Sequence, residues 1–133
     1  MLPIALLGLA AVTATVLVHA LGTAWWLQRL RARNRGAKGV VELRRVLSVL
    51  VKTALVLISL HATEVFVWSL VFRLLPGGGL ASLEEAMYLS FTTFTTLGYG
   101  DVTLQGPSRM LTGIEALNGV LLIGWSTALS FEG

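Results

Sequence analysis

Hydrophobic and polar positions alternate along this chain in long blocks rather than residue by residue. From Leu2 to Leu27 there is no formal charge and a single ionisable side chain, His19, and the run closes on Trp25 and Trp26, residues that favour a membrane interface. A second apolar block, Thr53 to Phe72, is bracketed by Lys52 and Arg73, and a third, Met110 to Phe131, is interrupted by Glu115 and Asn118. Each block is near the ~20 residues that carry a helix across a bilayer core. The pattern predicts an all-α membrane protein with three spanning helices, the first within residues 1–28 and the other two within 53–133. Val40 to Val51 is apolar with Glu42, Arg44 and Arg45 interspersed, and reads either as a helix lying in the interface or as an extension of the second spanning helix.

Between the second and third blocks the chain becomes polar, which is costly at membrane depth unless the backbone is buried in protein or lines a water-filled cavity. A turn at Pro76 to Gly79 precedes Ser82, and Glu85 three residues later completes a capping box, with Glu84 and Glu85 in the first helical turn. The predicted helix, 82–95, is about 20 Å long against a core of ~30 Å, so it must enter the membrane and stop. Its C-terminal dipole end then points inward and favours a cation. Thr96-Leu97-Gly98-Tyr99-Gly100-Asp101 follows, and its two glycines permit dihedrals that turn consecutive carbonyls to one side. Several copies arranged by cyclic symmetry would close such carbonyls into a ring.

Composition and charge fix the surroundings. The 133 residues are 55% hydrophobic and 13% charged, with mean hydropathy +0.78, where a soluble domain has roughly 25% charged residues. The length suits one membrane unit without a second folded domain. Absence of cysteine excludes disulfides and thiolate metal sites. The net charge of +3 is concentrated rather than spread, with Arg29, Arg31, Arg33, Arg35, Lys38, Arg44 and Arg45 all between the first two blocks. The expectation is a cytoplasmic loop at 29–52, an N-terminus outside, a C-terminus in the cytoplasm of a multi-pass cell-membrane protein, and no nucleic-acid partner. A voltage sensor would carry its arginines within a spanning helix, and a cleaved leader would have a basic start, so both readings fit less well.

With the capped half-length helix and "TTLGYGD" in view, the sequence resembles the potassium channel pore family, whose signature is T-V-G-Y-G-D after a threonine-rich pore helix. The resemblance covers roughly Thr53 to Phe131, with Leu97 where valine is usual. It implies an outer helix, a pore helix at 82–95, a filter at 96–101 and an inner helix at 110–131. It also implies a homotetramer in the lipid bilayer, potassium as permeant ligand held as a metal ion at filter carbonyls, no other cofactor, and no enzymatic activity. On this likeness Thr96, Leu97, Gly98, Tyr99 and Gly100 form the ion-binding filter, supported by Asp101, Thr92, Thr93, Thr95 and Tyr88. Two departures stand out: Thr92 lies where some bacterial channels carry a pore-helix glutamate, and Tyr88 and Leu89 where many carry a tryptophan pair. The first helix is an addition to the two-helix pattern, packing on the tetramer or on a partner.

Gly119 falls at the family's hinge glycine, with Ile123 and Thr127 below it as gate candidates. Gly113, Gly119 and Gly124 equally suit close helix packing in membranes. Ser126, Thr127 and Ser130 read as cavity lining or as side chains bonded back to their own helix. The costly intramembrane residues are His61, Glu64, Glu115 and Asn118. His61 and Glu64 share a helical face, and Glu64, at the depth of Asn118, is expected to brace the inner helix or the pore-helix threonines, or only to satisfy its neighbours. No metal-ligand set or nucleophile with its base is legible, the histidines lying far apart in sequence. A weakly selective cation channel and a non-conducting regulatory or assembly subunit are the alternative functions.

Overall fold

The computed structural model describes residues 2–34, 42–75 and 79–131. Arg35 and Lys38 of the basic loop, and Pro76 to Gly78 of the predicted turn, lie outside the described residues. The described residues form four α-helices, α1 (Leu2–Asn34), α2 (Leu43–Arg73), α3 (Leu83–Phe94) and α4 (Arg109–Phe131), with a 3₁₀ turn at Gly106–Ser108 leading into α4. Helix α2 packs against α1, α3 and α4, and α4 packs against α1 and α3.

Among the described residues two helices, α1 and α2, are long and apolar enough to cross a membrane. Both exceed the expected blocks. Helix α1 continues through Arg29, Arg31 and Arg33 to Asn34, because arginine is a good helix former and its charge suits the C-terminal end of the dipole. Residues 43–51 are the first turns of α2, so the extension, not a separate interfacial helix, is what forms there.

The packing is inside-out relative to a soluble bundle. On α1 the buried stripe is Ala11, Thr15, His19 and Thr23, at four-residue spacing, while Leu2, Leu6, Leu9, Leu17 and Leu21 are exposed. Small and polar residues inward with leucines outward is the arrangement that suits a lipid surround. The apolar core is built mostly by the other helices, Val65, Trp68 and Phe72 of α2, Ala86, Leu89 and Phe94 of α3 and Leu111 and Leu122 of α4, with Ala11 of α1 joining it.

Glycine sets one of these distances. A Cβ on Gly119 would sit 2.1 Å from the Phe94 carbonyl oxygen, so α4 reaches the end of α3 only because position 119 lacks a side chain. Gly113 and Gly124, by contrast, have no atom within 4 Å of such a Cβ. The continuous helix through 119 makes close packing a demonstrated role of that glycine.

Candidate functional site: a strand after a half-length helix

Helix α3 begins as its capping box requires. Ser82 is extended and its Oγ accepts from the Glu85 N–H at 3.1 Å, while Glu85 Oε2 accepts from the Ala81 N–H at 3.1 Å. Its 12 residues rise about 18 Å. At the far end the following strand folds back on helix carbonyls that would otherwise be orphaned, Thr96 N–H donating to Thr93 O at 2.9 Å and Gly98 N–H to Thr92 O at 3.0 Å.

The strand's backbone alternates. Thr96, Gly98 and Gly100 have φ of +62°, +52° and +79°, while Leu97 and Tyr99 between them do not enter the positive region. Alternation of this kind lets consecutive carbonyls face one way, and Thr96 is the lone non-glycine residue in the left-handed region among the described residues. Thr95 to Asp101 are all exposed on the single chain, Leu97 at 60% and Tyr99 at 69%.

Of the expected supporting residues, Thr92 and Thr93 are buried. Thr92 and Thr95 return their hydroxyls to their own helix, at Leu89 O (3.0 Å) and Phe91 O (2.6 Å). Tyr88 and Asp101 come together, the phenol donating to Asp101 Oδ2 at 2.7 Å. That bond holds the Asp101 carboxyl below its ordinary pKa and pushes the Tyr88 phenol above its own. Ile123 and Thr127 lie on the exposed side of α4, with Thr127 Oγ1 donating to Ile123 O at 2.9 Å.

His61 and Glu64 share a helical face and bond to each other, as one of the expected readings has it, while the brace to the pore-helix threonines does not form, because Glu64 does not reach them. Its Oε1 lies 2.8 Å from His19 Nδ1 and its Oε2 lies 2.8 Å from His61 Nδ1. Ser126 Oγ stands 3.0 Å from His61 Nε2 and 3.3 Å from His19 Nε2, closing a ring across α1, α2 and α4. The sequence reading that left the histidines without partners is therefore corrected: a distance along the chain says nothing about neighbours across packed helices. Glu115 is the residue that braces α3, through Ser90, whose Oγ lies 2.5 Å from Glu115 Oε1 and 2.9 Å from Val65 O. Asn118 Nδ2 donates to Thr15 Oγ1 at 2.7 Å, tying α4 to α1.

His19, Thr15, Ser90 and Ser126 are thus site residues that sequence reasoning missed or left undecided. For α1 there was a signal in the i, i+4 spacing of Thr15, His19 and Thr23, three polar positions on one face of an otherwise apolar helix.

Comparison with known proteins adds the family. The model of the ion channel family matches residues 53–132, from within α2 to the end of α4. Protein LctB of Geobacillus stearothermophilus is 44% identical over 46 residues, a stretch that is 35% of this chain and about a third (34%) of that protein's length. No solved structure matches the chain. Because the matched region takes in more than half of the sequence and includes the half-length helix, the strand and the helix that follows, the chain belongs to the ion channel family.

Proposed function

We propose that this chain is the subunit of a potassium-selective channel, four copies of which surround a pore lined by the 96–101 strand. The observation that carries the reading is the alternation of φ sign through Thr96, Gly98 and Gly100, on an exposed strand at the C-terminal end of a capped half-length helix. Four such strands set backbone carbonyls around an axis and replace the hydration shell of a potassium ion, passed passively down its gradient. The carbonyls of Thr96, Leu97, Gly98, Tyr99 and Gly100 are the ion's ligands, and no further cofactor takes part.

In this reading α1, α2 and α4 span the membrane, α3 re-enters from outside, and the arginines at the end of α1 lie in the cytoplasm. Exposure of Leu97 and Tyr99 on one chain fits side chains that become covered by neighbouring copies. Helix α1, which lies wholly outside the matched region, contributes His19 to the buried ring.

Flux of potassium against sodium in liposomes holding only the purified protein tests this, with barium as blocker. We expect potassium-selective, barium-sensitive flux that Gly98→Ala abolishes. An alanine at 98 would meet no atom within 4 Å, so its penalty comes from φ +52°, about 1–2 kcal/mol per copy in a left-handed conformation. Equal sodium flux would replace potassium selectivity with weak cation selectivity; no flux from a tetrameric preparation in any ionic condition would leave a non-conducting subunit.

A further inference from the structure

Away from the strand, the described residues hold one group of side chains with metal-ligating chemistry. His19 of α1 and His61 and Glu64 of α2 each offer a ligand atom within 4.8 Å of the other two. We propose that these residues form an intramembrane site for a divalent transition metal ion of the zinc class, with the Ser126 hydroxyl of α4 orienting both rings through their far nitrogens.

The donor set selects the class of ion. Two imidazoles and a carboxylate suit zinc, cobalt or nickel, whereas magnesium and calcium favour all-oxygen shells. The chain has no cysteine, so soft thiolate-seeking ions have no claim on the site. A tetrahedral ion with bonds of about 2.0–2.1 Å holds its ligand atoms about 3.3 Å apart. The three groups already converge, and side-chain rotations of about 1 Å close the difference. Binding at the nitrogens that face the carboxylate moves each neutral ring's hydrogen to its far nitrogen, where Ser126 Oγ accepts it, so both rings stay neutral and no proton has to leave.

Charge argues the same way. Glu64 is fully buried, and a buried carboxylate calls for a positive partner. The two imidazole rings stack with centroids 5.3 Å apart, so charging both sets like charges face to face. A divalent ion places the compensating charge at one point and keeps both rings neutral. The site also has an edge, since the His61 side chain is 22% exposed while His19 and Glu64 are closed off. Ligands from α1 and α2, with Ser126 from α4, make the ion a staple between the added helix and the channel-family region, whichever ion the pore conducts.

The test uses the full chain purified in detergent, stripped with EDTA and transferred to chelator-free buffer. Titration with zinc chloride should show one saturable ion per chain. Cobalt should give the visible absorption of a four-coordinate ion, and the unfolding temperature should climb with zinc concentration. X-ray absorption of the zinc-loaded wild type should show two imidazole ligands. His19→Gln and His61→Gln should each abolish saturable binding while eluting as wild type, and Ser126→Ala should weaken it on the order of 10–100-fold. The proposal is overturned by a monodisperse wild type that takes up no saturable zinc, by a bound ion with fewer than two imidazole ligands, or by uptake that survives both histidine substitutions.

Discussion

The 96–101 strand and the His19–His61–Glu64–Ser126 ring both place polar atoms in a chain that is 55% hydrophobic, yet they satisfy those atoms by different routes. In the ring, each carboxylate oxygen and each imidazole nitrogen has a partner within 3.3 Å, all supplied by one copy of the chain. The strand spends the Thr96 and Gly98 N–H groups on α3 and leaves Thr95 to Asp101 exposed. A feature completed within one chain belongs to that chain's own stability; one left open belongs to what the chain assembles around. On the proposed function the two regions should therefore fail separately, the ring through unfolding and the strand through loss of ion selection.

The largest effect is expected at the ring's centre. Glu64→Leu removes the acceptor of both histidines and strands two ring N–H groups in a buried pocket. Removing one partner of a buried charged pair costs about 3–5 kcal/mol, and a loss in that range is predicted here. Thermal unfolding in detergent, followed by circular dichroism, measures it. A melting temperature within a degree or two of wild type would mean that the ring does not hold α1 in place.

Next comes the seam where the two regions meet, at the end of α3. Gly119→Val drives a side chain onto the Phe94 carbonyl oxygen, a backbone atom that cannot rotate away, and should cost about 1–3 kcal/mol as overpacking does. A Cβ at Gly124 would meet nothing within 4 Å in the same chain, so on the proposed assembly a cost of Gly124→Val is expected from neighbouring copies. Comparing the two variants as dissociated monomers and as assembled protein separates contacts within the chain from contacts between chains. Equal losses at 119 and 124 in the monomer would undo that distinction.

The same contrast explains what could be read in advance. Helix α3 and its strand were legible because their determinants are consecutive: Ser82 with Glu85 sets the cap, and Gly98 and Gly100 permit the left-handed dihedrals. The ring's members lie at 19, 61, 64 and 126 on three helices. A local pattern joins only His61 and Glu64, since the register between packed helices depends on close approaches such as Gly22 against Leu60 and Gly8 against Ile114. Cost at membrane depth did single out His61, Glu64, Glu115 and Asn118. It did not pair them. Matching depths suggested Glu64 with Asn118, whereas the helices bring Asn118 to Thr15 and Glu115 to Ser90. The end of α1 was misjudged for a simpler reason, that charged residues mark where a membrane stops and not where a helix does, while the extension of α2 was one of two readings the charges left open.

The smallest expected effect lies at the exposed rim, where Tyr88 stands at one of the departures from the family's aromatic pair and donates to Asp101. Tyr88→Phe keeps the ring and deletes the hydroxyl, so it tests the bond alone. Both partners are exposed, and an exposed pair contributes little to stability. The pH signature is more diagnostic than the size. Asp101 has its folded pKa lowered by this bond, so its contribution is present above the ordinary carboxylate value of about 4 and is lost as pH falls through the lowered one. Tyr88 has its folded pKa raised by the same bond, so its share is present below the ordinary phenol value of about 10 and is lost as pH rises through the raised one. The melting-temperature difference between wild type and Tyr88→Phe should be level between those limits and shrink beyond each. A difference that vanished at pH 7, or that grew on acidification, would show that the phenol does not hold Asp101 and that the strand's outer end depends on neighbouring copies instead.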